Sequence, residues 1–222
     1  MSTSSASRGK LISFEGLDGA GKTTQIELLS RWLAERGMPY LTTREPGGTP
    51  LGVEIRRLLF ERDDLNITPL AEAFLFQSDR AQHFSTLVLP ALEAGTLVVT
   101  DRCFDASIAY QGFARNVGPE LVAQLSMIAT QGHIPDLTIL LDLNPGDVQQ
   151  RIDPANDQSG LRAAPSRFDS ETELFHQRVR QGFRLIARAH PARVKVVSAA
   201  RPVEEVHREI IVLVEDLLRG SS

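Results

Sequence analysis

Gly16, Leu17, Asp18, Gly19, Ala20, Gly21, Lys22 and Thr23, followed by Thr24, match the pattern G-x-x-x-x-G-K-[ST] in full over the first eight positions. In such a loop the glycines let backbone N–H groups converge on phosphate oxygens at the positive end of a helix. Lys22 supplies a mobile point charge, and the Thr23 hydroxyl can ligate Mg²⁺. The chemistry implied is binding of a nucleoside triphosphate with magnesium.

What receives the phosphoryl group is the next question. No N-K-x-D tetrapeptide of the guanine-reading kind occurs, and no Ser-His-Asp, Cys-His or paired-carboxylate constellation stands out. Arginines do recur after the second and third strand-like runs, at Arg44, Arg56, Arg57, Arg80 and Arg102. Guanidinium forks grip phosphate through two parallel hydrogen bonds, so this set fits a second anionic ligand facing the triphosphate. A small-molecule kinase accounts for it. The alternatives are a kinase for a different nucleotide and a regulatory protein that hydrolyses ATP slowly and signals through a partner.

These groups need elements to hold them. Leu11 to Phe14 is a short apolar run that leaves no room for a helix before Gly16, and Gln25 to Arg36 carries apolar residues at helical spacing, ending at Gly37. Strand-like runs recur at Lys10–Phe14, Tyr40–Thr43, Thr96–Thr100, Leu137–Leu143 and Val194–Val197, with helical patterns between them. That alternation predicts an α/β fold, a five-stranded parallel sheet flanked by helices. Asp101 ends the third run, where an acidic residue lies beside the phosphate loop: it is either a magnesium carboxylate acting behind the direct ligands or a plain helix cap. The stretch at about 152–168 breaks the pattern with prolines, a glycine and small polar residues around Arg162 and Arg167, with Arg151 just before it. It reads as a functional lid or as a linker.

The 222 residues suit one domain, expected over 10–220, preceded by a Ser-rich disordered tail over 1–9. A net charge of −4 with 24 dispersed Lys and Arg gives no basic tract for nucleic acid. Cys103 is the one cysteine, so no intramolecular disulfide forms, and the five scattered histidines give no metal cluster. Nothing in the sequence argues that Cys103 acts as a nucleophile, and it is expected to be dispensable, though closeness to Arg102 could lower its pKa and leave it modifiable. With no apolar leader and no run of about 18 apolar residues, the expectation is a cytoplasmic protein that does not enter a membrane.

Five segments in order, FEGLDGAGKTT, REPGGTPLG, LFQSDRAQH, DRCFDASIAYQG and SRFDSETELFHQRVRQGF, resemble the thymidylate kinase family of the bacterial kind, from Phe14 to about Phe183. The resemblance implies the P-loop nucleoside monophosphate kinase fold, phosphoryl transfer from ATP to dTMP giving dTDP, a requirement for Mg²⁺, and a homodimer. It puts Lys22 and the loop amides on the ATP phosphates, with Asp18 near the metal and the acceptor phosphate. Glu45 is implied near the acceptor sugar and phosphate, Phe76 stacked on thymine, and Arg80 reaching the same base. Phe76 lies in the apolar run AEAFLF and could equally be core. Arg102 and Arg56 are implied on the acceptor phosphate, though Arg56 also suits a solvated helix face. Ser107 and Gln111 fall on the polar edge of thymine, and Tyr110 where a ribose 2′-hydroxyl would sit. Arg162 and Arg167 are implied to meet charge on the transferred group, with Arg151 on the ATP side. Cys103 and Ala106 depart from the family, which commonly has an aromatic or histidine at the first position and serine at the second.

Overall fold

The computed structural model describes residues 8–147, 168 and 171–220. Five parallel strands form the sheet: β1 (Leu11–Gly16), β2 (Tyr40–Arg44), β3 (Leu97–Asp101), β4 (Leu137–Asp142) and β5 (Val194–Ser198), in the spatial order β2-β3-β1-β4-β5. Helices cover both faces, so the three inner strands bury nearly every residue, which is why they read as continuous apolar runs. The edge strands β2 and β5 alternate more freely between buried and exposed.

Helix α1 (Lys22–Glu35) follows the loop and starts three residues before the apolar periodicity does, because Lys22 and the two threonines form its first turn. Next come α2 (Pro50–Glu61) and α3 (Pro69–His83), each opened by a proline, whose fixed φ and missing N–H suit the first turn. A π-helical run at Phe84–Val88 leads into α4 (Leu89–Glu93). After β3, the short α5 (Phe104–Ser107) continues into a second π-helical run, Ile108–Ala114, which carries Tyr110 and Gln111. Helices α6 (Pro119–Ala129), α7 (Glu173–Ala189) and α8 (Val203–Arg219) complete the layers. Gly9 is already tied in, its N–H donating to the Leu92 carbonyl at 2.8 Å.

Register brings the chemistry to one edge. Phe14 pairs with Asp101, and Arg44 pairs with the same Asp101 from the other side. The carboxyl ends of β1, β3 and β2 are therefore neighbours about 5 Å apart, and the phosphate loop, Arg102 and the Glu45 turn leave from adjacent points. This is the sheet end at which α/β folds bind ligands.

Candidate active site

The loop from Gly16 to Thr24 needs backbone that side chains disfavour. Gly16 has φ 135°, and a Cβ there would lie 2.5 Å from the Leu141 carbonyl oxygen. Leu17 and Ala20 turn their side chains into the core, so only their backbone groups remain for a phosphate. Lys22 is buried, its ammonium donating to the Leu17 carbonyl at 3.1 Å and the Gly16 carbonyl at 3.4 Å, 3.7 Å from Asp18 Oδ1. Burial and the neighbouring Arg102 both lower its pKa.

Arg102 follows β3 in the left-handed region, φ 69°, with its N–H on the Phe14 carbonyl at 2.9 Å. That turn swings the guanidinium over the loop. Nη1 donates to the Gly16 carbonyl at 3.1 Å, and Nη2 to Asp18 Oδ1 at 2.7 Å and Tyr110 Oη at 3.2 Å. Desolvation works against the Asp18 charge, but Arg102 and Lys22 outweigh it and hold the carboxyl well below the usual range. Burial pushes the Tyr110 phenol up, so it stays a neutral donor.

Beneath this turn lies Glu15, which sequence reasoning passed over. Fully buried, it accepts the Cys103 N–H at 2.8 Å through Oε1, while Oε2 has no hydrogen-bond partner among the described residues. Desolvation, then the charge of Asp105, pushes its pKa up to about 8. The signal available in the sequence was a charged residue inside an otherwise apolar strand. Cys103 itself is fully buried, and desolvation pushes its thiol well above the ordinary value. Of the two readings of Cys103, this favours the inert thiol: the low-dielectric setting raises its pKa despite the adjacent arginine.

On the other side, Glu45 and Arg80 meet inside the protein. Glu45 Oε2 accepts from Arg80 Nε at 2.8 Å and pairs with Nη2 at the same distance, and Oε1 lies 2.9 Å from His83 Nδ1. Burial would raise the Glu45 pKa, but Arg80 and His83 lower it overall. Arg80 also donates through Nη1 to Gln77 at 2.9 Å and Ser126 at 3.2 Å, and through Nη2 to Ser107 at 3.1 Å. Those four hydrogen bonds and the ion pair with Glu45 surround the residue expected at the base with protein acceptors. Asp79, one residue earlier, accepts the Gly47 N–H at 3.0 Å and fixes the turn after Glu45. A Cβ on Gly52 would come within 2.2 Å of that carboxylate, so the glycine admits it.

Phe76 is half-buried, its ring 6.4 Å from Phe60 and 6.3 Å from Phe168. Phe168, which no sequence feature singled out, also sits 5.1 Å from Phe60 and 6.0 Å from Tyr110 and completes an aromatic cluster. Arg56 lies over Phe60 at 4.6 Å and donates to the Pro46 carbonyl at 3.2 Å. Desolvation, then the positive charge of Arg44, lowers the Arg56 pKa, so two guanidinium groups repel one another beside the loop. Gln111 is buried against α3 and donates to Glu72 at 3.0 Å. Asp101 Oδ1 is buried without a hydrogen-bond partner among the described residues, and Thr23 is exposed at the head of α1. Thus Asp18, Lys22, Arg102 and Tyr110 come together, as do Glu45, Arg80 and Ser107; Arg151, Arg162 and Arg167 lie outside the described residues.

A family model described as thymidylate kinase matches residues 14–210. The chain belongs to the thymidylate kinase family. Among relatives of this family, the thymidylate kinase of Clavibacter michiganensis is 47% identical over 198 residues, covering 89% of this chain and 90% of that protein. The one from Symbiobacterium thermophilum is 44% identical over 207 residues, 93% of each. A crystal structure of thymidylate kinase from Ehrlichia chaffeensis superposes with a TM-score of 0.74 at 31% identity, covering 94% of this chain and 99% of that one. The parallel sheet and its thymidylate kinase neighbour agree with the P-loop nucleoside monophosphate kinase fold.

Proposed function

We propose that the chain transfers the γ-phosphoryl group of ATP to dTMP, giving dTDP and ADP. Beyond family membership, the observation that carries this reading is the excess of positive charge at one sheet end. Arg44 and Arg56 repel one another beside a phosphate loop whose own cations, Lys22 and Arg102, both pair with the same carboxylate, Asp18. A second phosphate would relieve that repulsion. The acceptor is already an oxyanion, so no general base is needed. Catalysis reduces to bringing two anions together and neutralising the group in flight. Lys22 and the loop amides hold the donor phosphates. Arg102, released from Asp18 and the Gly16 carbonyl, holds the acceptor phosphate with Arg56, and Phe76 supports the base.

Mg²⁺ fits the residues present, because the buried Asp101 Oδ1 lacks a hydrogen-bond partner among the described residues and the Thr23 hydroxyl is exposed nearby in sequence order to the loop. Thr23 and Asp101 would hold the ion, which when bound would neutralise charge on triphosphate oxygens. Arg162 and Arg167 complete the proposal as cations brought to the transferred group.

The same reading includes a homodimer. Adjacent helices leave large apolar side chains exposed: Leu51 and Val53 on α2, Leu70 and Phe74 on α3, Leu121 and Ile128 on α6. Phe74→Asp should then yield a monomer by analytical ultracentrifugation. No helix among the described residues is long and apolar enough to cross a membrane. The deciding experiment for function is a coupled assay of ADP release against a panel of nucleoside monophosphates. ADP formed only with dTMP, or with dUMP at lower efficiency, supports the reading; release that ignores the monophosphate overturns it.

A further inference from the structure

From the Asp101 carbonyl to the Cys103 carbonyl, every backbone polar group between β3 and α5 is engaged. The Asp101 carbonyl accepts the Glu45 N–H at 2.9 Å, the Arg102 N–H goes to the Phe14 carbonyl at 2.9 Å, and the Cys103 carbonyl accepts the Ala106 N–H at 3.2 Å. Side chains supply the remaining two bonds. Thr100 Oγ1 donates to the Arg102 carbonyl at 2.8 Å, and Glu15 Oε1 accepts the Cys103 N–H at 2.8 Å. Thr100 is a neighbour in sequence and travels with the turn, whereas Glu15 belongs to β1 and ties the turn to the sheet from 88 positions away.

The conformation held there is one that a residue with a Cβ disfavours. Arg102 has φ 69°, so the bonds on either side of it must impose the left-handed turn. That turn carries the guanidinium over the phosphate loop, to the Gly16 carbonyl, Asp18 and Tyr110. Glu15 itself is wholly buried, and the Cys103 N–H is its one hydrogen-bond partner among the described residues, since Oε2 has none. A carboxyl enclosed in this way is costly, and an apolar side chain would pack beside Ile12 and Phe14 without that cost. What an apolar side chain would not do is accept the Cys103 N–H.

We infer that Glu15 is a positioning residue for the acceptor phosphate: by holding the Cys103 N–H it fixes Arg102 in the turn from which the guanidinium reaches that phosphate. Glu15 touches neither nucleotide and acts only through Arg102. The inference rests on the reading of dTMP as acceptor with Arg102 on its phosphate, and deepens it by naming what aims that arginine. Desolvation pushes the Glu15 pKa up to about 8, so at neutral pH the uncharged form does the holding, and a glutamine amide reproduces it.

The test measures binding of dTMP and of thymidine by calorimetry to the full-length wild type, Glu15→Met and Glu15→Gln at pH 7. Thymidine keeps the base and sugar and lacks the phosphate, so the ratio of the two affinities reports the phosphate grip alone. In Glu15→Met that ratio should fall by about tenfold or more, the size of one hydrogen bond to a charged group, with thymidine bound as in the wild type. Glu15→Gln should recover the ratio, because its carbonyl oxygen accepts the same N–H. In an Arg102→Ala background, adding Glu15→Met should lower dTMP affinity no further, as a residue acting only through Arg102 requires. An unchanged ratio in Glu15→Met, an equal loss of dTMP and thymidine, no recovery in Glu15→Gln, or a further loss without Arg102 overturns the inference. Should Glu15→Met not fold, Glu15→Asp, whose carboxyl is one methylene short, takes its place with the same expectation. If the wild type prefers another monophosphate, the dTMP reading fails, and the same ratio taken with that monophosphate and its nucleoside still decides the role of Glu15.

Discussion

At the phosphate loop, Lys22 and Arg102 direct their donors to backbone carbonyls of the loop itself and to Asp18, whose side chain is 41% exposed. At the α3 wall, Arg80 directs its donors to Glu45, Gln77, Ser107 and Ser126, all buried. The first set of contacts is open to exchange, since its carboxylate is part-exposed and an incoming phosphate can replace one anion with another. The second is a closed ion pair away from water, where losing one partner strands the other. The two regions thus put the same residue type to opposite uses: an arginine paired with a part-exposed carboxylate, and an arginine enclosed with a buried one. The comparison can be broken by removing a cation from each region.

The largest effect should come from the wall. Arg80→Met leaves the Glu45 carboxylate buried beside His83 without its main partner, which costs about 3 to 5 kcal/mol. Chemical denaturation should show that loss in full; an unfolding free energy within about 1 kcal/mol of wild type would mean the wall is not closed in the sense argued. Lys22→Ala should do the reverse. Its ammonium is held by two loop carbonyls and a longer contact with the half-exposed Asp18, so stability changes little. Transfer loses at least about 10²- to 10³-fold in kcat, as expected when one preorganised donor is removed. Calorimetry with dTMP separates the sides: affinity for dTMP falling in step with kcat would move Lys22 to the acceptor.

Glu15 sits beneath both regions and offers a pH test. Its folded pKa of about 8 lies above the ordinary 4.5, so the folded state keeps a proton that the unfolded chain has lost. Stability attached to that proton is complete below pH 4.5 and declines as the pH rises through 8. Glu15→Gln keeps the Cys103 contact without the titration. Thermal melts should show the variant equal to wild type near pH 5 and more stable above pH 8. Parallel curves over the whole range would contradict the burial argument. Phe76→Ala, at the face of the wall, should weaken dTMP and dUMP together by about 0.5 to 1.5 kcal/mol. Binding of dUMP untouched by the change would make Phe76 ordinary core.

The loop region was nearly all legible in the sequence, and the wall was not. Consecutive residues make the loop, and the inner strands announce themselves because both faces are buried. Lys22 was therefore named from the loop pattern, and Asp18 from the family resemblance of the same stretch. The wall is made by approach: Glu45 meets Arg80 across 35 positions and Glu72 meets Gln111 across 39. Spacing on α3 told that Phe76 and Arg80 share a face, but not what that face touches. Phe168 is a sharper case. It opens the last of the family-like segments without being singled out there, and its ring reaches Phe60, Phe76 and Tyr110 from far along the chain. Glu15 was missed for another reason, since its burial in a strand next to the loop gives no periodic signature.

Cys103 is where the smallest effect is expected, because it stands at the junction and belongs to neither region's polar contacts. Its backbone N–H is held by Glu15, but its side chain is in the apolar core and fully buried. Desolvation first, and then the charge of Glu45, keeps the thiol protonated, with Arg80 only partly opposing them. A protonated, enclosed thiol neither attacks nor is attacked. Cys103→Ser changes one atom and leaves the N–H contact that holds Arg102 in its turn. Activity should stay within about tenfold of wild type, which corresponds to roughly 1.4 kcal/mol. Alkylation with iodoacetamide followed by mass spectrometry gives the matching structural readout: no adduct on the native protein, and a single adduct in urea. Rapid labelling of the native protein would show that the packing behind Arg102 opens readily, and the boundary between the exchangeable loop and the closed wall would then have to be drawn on the other side of β3.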